Sequence, residues 1–356
     1  MGIPCAPPMP PPPGGLQLPQ LGLVVAPPVL PPTPPPLPPV ALPRFVSEFA
    51  LGNAQVLYWL ATLTRASYSP TSALFERAVR AVLPASYTVL FVPNGVAGTP
   101  GYGLITLPQG AIMVVSGTTQ LSQWLEQVLE NGLVDWTTAP GGPLPVASMT
   151  SYNTNANRVL AALNPTIPND DQVLFVGHSM GGAVAQLCHY WCSKSTGNVR
   201  TDSRCVSFSA PKPGDARLRD AMRKGPQVFR RLQIEGDFVP ILPPDLGIFN
   251  LAVPAPLQPV STNWSRYKQP GQAYYVRADG TVTPGEEPFL PLLVTGAVVA
   301  VAAGNPLAPV NAHMPRTYTE RLAAGFDPGA RGSYPDNWQN PTDLPVVNAD
   351  LAAVGL

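Results

Sequence analysis

The sequence predicts an α/β fold in which helices flank a mostly parallel central sheet. Three observations predict it. Stretches typical of strands and of helices alternate from residue 44 onward. An apolar strand at residues 172–176 runs through a sharp glycine-rich turn directly into a helix. The chain has 356 residues, which fits one large domain or two small ones, and with 45% hydrophobic residues the size of the core is not limiting.

Helical spacing of apolar residues predicts seven helices along the chain. The second has the clearest boundaries, because Pro70 and Thr71 precede it and Pro84 follows it. The predicted helices span residues 45–68, 72–82, 119–130, 151–163, 180–192, 215–222 and 317–324.

Runs of β-branched and aromatic residues predict strands between these helices. The last two strands are expected to form a hairpin around the turn Asp279-Gly280. Residues 131–148 are rich in glycine and proline and are predicted to be a loop. The predicted strands span residues 87–92, 103–107, 111–115, 172–176, 204–208, 228–234, 273–276 and 281–283.

Residues 1–43 are predicted to form a disordered, proline-rich tail before a folded domain at residues 44–356. The tail holds 18 of the 48 prolines and no Lys, Arg, Asp or Glu. A segment of this composition buries too little apolar surface to offset the entropy lost on folding, and it favours the extended polyproline II conformation. It lacks the basic and continuous apolar segments of a signal peptide. A passive tail is the preferred interpretation, over a spacer or a ligand for proline-binding domains.

Composition argues against several classes of protein. Lys and Arg total 21, as do Asp and Glu, so the net charge is near zero and nucleic-acid binding is not expected. The longest apolar run, residues 292–303, is interrupted by Gly296 and is shorter than the roughly 20 residues that span a bilayer. It is interpreted as a buried helix or as the lining of a pocket.

The cysteines do not form a disulfide framework, and buried free thiols are expected. Cys188, His189 and Cys192 lie close together in sequence, but no second cluster supplies the further ligands of a metal site. The four cysteines are Cys5, Cys188, Cys192 and Cys205.

The turn after the apolar strand at residues 172–176 has the pattern of a nucleophile elbow. Gly177-His178-Ser179-Met180-Gly181 is a Gly-x-Ser-x-Gly sequence between a strand and a helix, which is the setting that such an elbow requires. The two outer glycines lack a Cβ, so the strand and the helix can approach closely. Ser179 is then presented above the sheet, at the positive end of a helix dipole. Ser179 is therefore the candidate nucleophile.

The base that activates this serine is sought among three histidines. His178 lies beside Ser179, so its side chain points elsewhere, and His189 is ten residues further along the helix, about 15 Å away along the axis. His313 remains and is the candidate base, with a surface histidine as the alternative. The acid is expected between nucleophile and base in the sequence. Asp237 follows a late strand and is preferred, since Asp215 starts a helix as a cap and Asp245 lies in a loop after two prolines.

Several blocks resemble the class 3 lipases, the fungal-lipase-like branch of the α/β-hydrolases. They occur in the order typical of that family, and the similarity extends over about residues 45–324. The blocks are Val114-Val115-Ser116-Gly117-Thr118, Gly177-His178-Ser179-Met180-Gly181-Gly182-Ala183, Phe208-Ser209-Ala210-Pro211-Lys212-Pro213-Gly214-Asp215 and Asp237-Phe238-Val239-Pro240-Ile241-Leu242-Pro243-Pro244.

The resemblance implies an α/β-hydrolase fold and a site for ester hydrolysis. It implies that the backbone N–H groups of Thr118 and Met180 form the oxyanion hole, and that no metal or organic cofactor is needed. Residues 119–130 are similar to the amphipathic lid of the family, with ordinary core packing as an equal alternative. Two departures are notable. Ser116 stands where the family usually has Arg, and the segment between Asp237 and His313 is longer than the family pattern.

The expected function is hydrolysis of lipid esters, as by a triacylglycerol lipase or carboxylesterase, through a Ser179–Asp237–His313 triad and an acyl-enzyme. The expected substrate is a lipid ester, encountered at a lipid–water interface or in solution. A phospholipase or polyester hydrolase of the same fold is a variant within this chemistry. The alternatives from other classes are a non-catalytic binding module with a lipase-like fold and an adaptor that acts through its proline-rich tail.

Overall fold

The computed structural model describes residues 54–83, 87–95, 100–107, 110–118, 133–136, 146–163, 172–194, 203–223, 229–234, 236–242, 266–285, 312–325 and 352. The predicted tail, the predicted lid helix, residues 292–303, Cys5 and Asp245 lie outside these residues. None of the described helices is long and apolar enough to cross a membrane.

The described strands form an eight-stranded mixed sheet and a separate two-stranded sheet. The strands are β1 Thr88–Val92, β2 Tyr102–Leu107, β3 Gly110–Val115, β4 Leu133–Trp136, β5 Val146–Met149, β6 Gln172–His178, β7 Ser203–Phe208, β8 Phe229–Ile234, β9 Gln272–Val276 and β10 Val282–Gly285. The larger sheet has the order β1-β2-β3-β6-β7-β8-β9-β10, and the smaller sheet pairs β4 with β5.

The centre of the large sheet is parallel. Strands β3, β6, β7, β8 and β9 pair in parallel, whereas β1, β2 and β10 are added at the edges as antiparallel strands. Parallel neighbours need crossover connections, which is why helices alternate with these strands in the sequence. The predicted α/β-hydrolase fold class is confirmed.

Helices cover both faces of the sheet and bury two apolar clusters. One cluster packs α1, α2 and α6 against one face, and the other packs α3, α4 and α5 against the opposite face. Neighbouring residues of β6 illustrate the alternation, since Leu174 joins the first cluster and Phe175 the second. The helices are α1 Ala54–Ala66, α2 Ser72–Val82, α3 Thr150–Leu163, α4 Met180–Lys194, α5 Ala216–Arg223 and α6 Pro315–Ala324.

The prediction of a loop over residues 131–148 is wrong in part. Leu133–Trp136 and Val146–Met149 form β4 and β5, which pair in antiparallel. Five of the six glycines and prolines that suggested a loop lie between the two strands, at residues 137–145, and Gly132 directly precedes β4. Each strand has only four residues, which is too short for an alternating pattern to stand out against such a background.

The cysteines in the described part of the chain are buried free thiols, as expected. Cys188 and Cys192 lie in α4, and Cys205 lies in β7. Burial raises the pKa of the Cys188 and Cys205 thiols well above the usual value, so both stay protonated. They behave as small apolar residues of the core.

Candidate active site

Ser179 lies at the tip of a tight turn between β6 and α4. Its backbone φ is 56°, in the left-handed region, and its N–H donates a hydrogen bond of 2.9 Å to the carbonyl of Phe208 at the end of β7. Positive φ is costly for a residue with a side chain, and such strain is concentrated at functional sites. The turn therefore has the strained geometry of a nucleophile elbow.

The two outer glycines of the turn are required by close packing. A Cβ built on Gly177 would lie 2.3 Å from the carbonyl oxygen of Gly181. A Cβ built on Gly181 would lie 2.3 Å from the carbonyl oxygen of Ser116, just after β3. Any larger residue would push the helix or the neighbouring strand away from the turn, so the sequence interpretation of these glycines is confirmed.

His313 is the histidine that contacts Ser179. Its Nε2 lies 2.9 Å from Ser179 Oγ, and its ring is buried. It lies two residues before the start of α6, and Tyr318 of that helix packs against the sheet. The hydroxyl of Tyr318 lies 2.8 Å from Ser209 Oγ, and its ring packs edge-on against Phe208.

Asp237 contacts the opposite side of the same imidazole. Its two carboxylate oxygens lie 3.2 and 3.3 Å from His313 Nδ1, and its side chain is fully buried. It follows β8, and Oδ1 also accepts a 3.0 Å hydrogen bond from the N–H of Val239. A carboxylate only accepts hydrogen bonds, so Nδ1 of His313 carries the proton and Nε2 is left with a lone pair toward Ser179.

The loop that carries Asp237 is held in place by a buried glutamine that the sequence analysis did not single out. Nε2 of Gln269 donates hydrogen bonds of 2.8 Å to the carbonyl of Ala210 and 2.7 Å to that of Pro240. It thereby joins the segments that follow β7 and β8. A glutamine in the connection between β8 and β9 carries no sequence signal of such a role.

His178 faces away from Ser179, as expected, and holds the backbone of His313. Its Nε2 donates a 2.7 Å hydrogen bond to the carbonyl oxygen of His313, and its Nδ1 accepts one of 2.6 Å from the hydroxyl of Tyr68. Burial, followed by the nearby His313, holds the pKa of His178 well below its usual value. His178 is therefore neutral, which agrees with one ring nitrogen donating and the other accepting.

Tyr68 connects this histidine to the segment after β3. Its hydroxyl oxygen accepts a 2.8 Å hydrogen bond from the N–H of Gly117 while its proton is donated to His178. Burial raises the pKa of Tyr68, so the hydroxyl remains protonated. Tyr68 follows α1 and was not predicted as a site residue, since nothing in the local sequence distinguishes it from a core tyrosine.

The two residues expected to form the oxyanion hole lie beside Ser179. Thr118 is half-buried and follows Gly117, on which a Cβ would lie only 2.7 Å from Ser179 Cβ. Met180 is the first residue of α4. The N–H groups in the first turn of a helix have no acceptor within the helix, so they are available to a ligand. Gly117 and Met180 are thus next to the nucleophile, and the role of Thr118 and Met180 as oxyanion donors stays a prediction.

The rival residues lie outside this cluster or serve other contacts. Asp215 accepts a 3.2 Å hydrogen bond from the N–H of Leu218 and pairs with Arg217, so it caps α5. His189 Nδ1 lies 2.5 Å from Ser203 Oγ. Within the described part of the chain, no group of three or more His, Cys, Asp or Glu residues is arranged to hold a metal ion.

Comparison with known families finds a match for the central part of the chain. Residues 112–247 match the lipase (class 3) family. This segment includes Ser179 and Asp237 and ends before His313. The resemblance to class 3 lipases is confirmed over this region. No curated protein sequence matches the chain.

Solved structures similar to this chain include three fungal lipases. The Rhizomucor miehei triacylglyceride lipase has 17% identity and a TM-score of 0.48, covering 65% of this chain and 82% of that one. A triacylglycerol lipase from Penicillium expansum has 16% identity and a TM-score of 0.45, covering 66% and 83%. A lipase from Rhizopus microsporus var. chinensis has 14% identity and a TM-score of 0.46, covering 63% and 74%.

Proposed function

We propose that this chain is a serine hydrolase that cleaves lipid esters, as a triacylglycerol lipase or carboxylesterase does, through an acyl-enzyme. The observation that carries the proposal is the line of contacts from Ser179 through His313 to Asp237, with distances of 2.9 Å and 3.2 Å. The strained backbone of Ser179 and the match to the class 3 lipases support it.

In the proposed first step, His313 acts as general base and Ser179 as nucleophile. Nε2 of His313 accepts the hydroxyl proton as Ser179 Oγ forms a bond with the ester carbonyl carbon. His313 becomes positively charged in a buried place, and the adjacent carboxylate of Asp237 compensates that charge. The same carboxylate keeps the imidazole in the tautomer that can accept the proton.

The carbonyl oxygen of the ester becomes an oxyanion during this attack. The N–H groups of Thr118 and Met180 are proposed to donate hydrogen bonds to it. Each such donor is typically worth about 2.7–4 kcal/mol of transition-state stabilisation. The tetrahedral intermediate then collapses, the bond to the leaving alcohol breaks, and His313 gives its proton to that alcohol.

Water completes the cycle in the proposed second step. His313 accepts a proton from water as the water oxygen attacks the acyl-enzyme carbonyl. The bond to Ser179 Oγ breaks, the acid is released, and the proton returns to Ser179. These steps use only groups of the chain and water, and the lipid ester substrate is the one that the class 3 lipase family implies.

The test is hydrolysis of p-nitrophenyl butyrate, p-nitrophenyl palmitate and emulsified triacylglycerol by the wild type and Ser179→Ala. The matched control is Ser193→Ala, because Ser193 lies in the same helix and its hydroxyl makes a local 2.9 Å hydrogen bond to the carbonyl of Tyr190. We expect ester hydrolysis by the wild type and by Ser193→Ala, and none by Ser179→Ala. Equal activity in all three proteins would refute Ser179 as nucleophile, and inactivity of all three would favour a non-catalytic binding module.

A further inference from the structure

The peptide group between Gly117 and Thr118 has a special position in the proposed site. Its N–H belongs to Thr118, the proposed oxyanion donor, and its C=O belongs to Gly117. A peptide group is rigid, planar and trans, so its N–H and C=O bonds lie in one plane and point in opposite directions. A contact that holds the carbonyl of Gly117 therefore also sets the direction of the Thr118 N–H.

Asn94 is the residue that contacts this carbonyl. It lies in the segment after β1, and its Nδ2 donates to the carbonyl oxygen of Gly117 at 3.5 Å. The topology brings the two together, because Val92 at the end of β1 pairs with Tyr102, which pairs with Val115 at the end of β3. The segments after β1 and after β3 thus emerge at the same edge of the sheet.

The orientation of the Asn94 amide is determined by two donors. Its Oδ1 accepts a 2.5 Å hydrogen bond from the N–H of Gly101 and another from the hydroxyl of Ser116. An amide has its acceptor and its donor on opposite branches. With Oδ1 held by these two groups, Nδ2 is turned toward the carbonyl of Gly117.

Ser116 is buried and belongs to the same small network. Its Oγ also lies 2.8 Å from the N–H of Gly101, and its own N–H donates to the carbonyl of Gly101 at 3.1 Å. Ser116 is the position at which class 3 lipases usually carry Arg, as the sequence comparison of motifs indicated. In this chain, the neutral side chains of Asn94 and Ser116, which come from different segments, form hydrogen bonds that hold the residues before Thr118 in place.

We propose that Asn94 is a positioning residue that aims the Thr118 N–H at the oxyanion, and that Ser116 sets the orientation of its amide. This inference rests on the proposed function. Asn94 acts through the Gly117–Thr118 peptide and does not itself contact the reacting atoms. Its loss therefore weakens binding of the transition state and leaves binding of the neutral ester nearly unchanged.

The experiment measures kcat and KM for p-nitrophenyl butyrate and the inhibition constant of an alkyl trifluoromethyl ketone. Such a ketone forms a bond with Ser179 and presents an oxyanion to Thr118. In Asn94→Ala, kcat falls by about tenfold to a hundredfold, less than the loss of a whole oxyanion donor. KM changes by less than about twofold, and ketone affinity falls by the same factor as kcat.

Ser116→Ala and Asn155→Ala complete the series. In Ser116→Ala, Asn94 Oδ1 still accepts the hydrogen bond from the N–H of Gly101. We therefore expect kcat to fall less in Ser116→Ala than in Asn94→Ala. Asn155→Ala is the matched control, since Asn155 Nδ2 makes a 2.9 Å hydrogen bond to the carbonyl of Ser151 within α3. It is expected to leave kcat, KM and ketone affinity at wild-type values.

Asn94→Asp keeps the test decisive if Asn94→Ala does not fold. Asp keeps both accepted hydrogen bonds but has no donor for the Gly117 carbonyl, so kcat falls here as well. Wild-type kcat in folded Asn94→Ala or Asn94→Asp overturns the inference, as does an effect on KM alone. A wild type that neither hydrolyses esters nor reacts with the ketone at Ser179 refutes the proposed function instead.

Discussion

Replacing Asp237 by Asn tests the proposed role of its carboxylate with little change of shape. Oδ1 of Asp237 accepts a 3.0 Å hydrogen bond from the N–H of Val239, and the side-chain oxygen of Asn can accept the same hydrogen bond. The amide nitrogen then takes the place of Oδ2, 3.3 Å from Nδ1 of His313. The NH₂ group donates to Nδ1 and so favours the tautomer with its proton on Nε2, whereas the amide oxygen, still 3.2 Å from Nδ1, is neutral and accepts the Nδ1 proton less strongly than the carboxylate does. In that tautomer His313 has no lone pair for the proton of Ser179.

The expected loss is large because the wrong tautomer removes the base rather than weakening it. The same change in a serine hydrolase triad typically lowers kcat by about 10⁴-fold, or about 5.4 kcal/mol in the activation free energy. The assay is kcat for p-nitrophenyl butyrate across pH, with circular dichroism and thermal unfolding to confirm that the variant is folded.

Asp215→Asn is the matched control for this substitution. Asn is as good an N-cap as Asp, so α5 keeps its capping contact and kcat stays within about twofold of the wild type. The reasoning would be refuted by a folded Asp237→Asn variant that loses less than about tenfold in kcat. It would also be refuted by equal losses in the two variants, since Asp215 does not contact the imidazole.

Three further changes probe the surroundings of the site. Gly181→Ala places a Cβ 2.3 Å from a backbone oxygen after β3, so we expect about 1–3 kcal/mol lower stability in urea unfolding and a loss of kcat. Tyr68→Phe leaves the buried N–H of Gly117 without its acceptor, and we expect about 1–3 kcal/mol lower stability together with reduced kcat. Burial first, and then the neighbouring imidazole, hold the pKa of His178 well below its usual value, so the unfolded chain binds a proton there that the folded chain does not. The free energy of unfolding of the wild type therefore falls as pH drops below about 6.5, and this group contributes up to about 1.4 kcal/mol of that fall per pH unit. Urea unfolding at several pH values measures it, and we expect His178→Gln to lack this contribution.

The elements that the sequence could predict are those with strong local patterns. The elbow is recognisable because Gly177 and Gly181 flank Ser179 directly after an apolar strand. The chain has only three histidines that could act as the base, so elimination leads to His313. Asp237 is recognisable because it comes just after a strand, at the carboxyl end of the sheet. The structure brings these three side chains into one hydrogen-bonded line, and their catalytic roles remain predictions until the variants are measured.

The contacts that sequence could not predict depend on topology. Tyr68 and His178 are 110 residues apart and meet because α1 packs against the face of the sheet on which α6 also lies. Asn94 meets Gly117 only because two antiparallel pairings return the chain to the same edge. Such contacts give no periodic pattern in the sequence, because the residues around Tyr68 and Asn94 do not distinguish them from a core tyrosine and a loop asparagine.

The groups that hold the backbone of His313 and the Gly117–Thr118 peptide share one property: each forms its contacts without a net charge. His178 and Tyr68 are kept neutral by burial, and Asn94 and Ser116 have no charge to lose. Because an uncompensated charge is costly in a buried site, fixed charges beside the nucleophile would compete with those created during the reaction. Among these described groups, Asp237 supplies the charge that is proposed to act on His313. In the proposed mechanism, the positive imidazolium would face the carboxylate of Asp237, and the negative oxyanion would face the N–H groups of Thr118 and Met180.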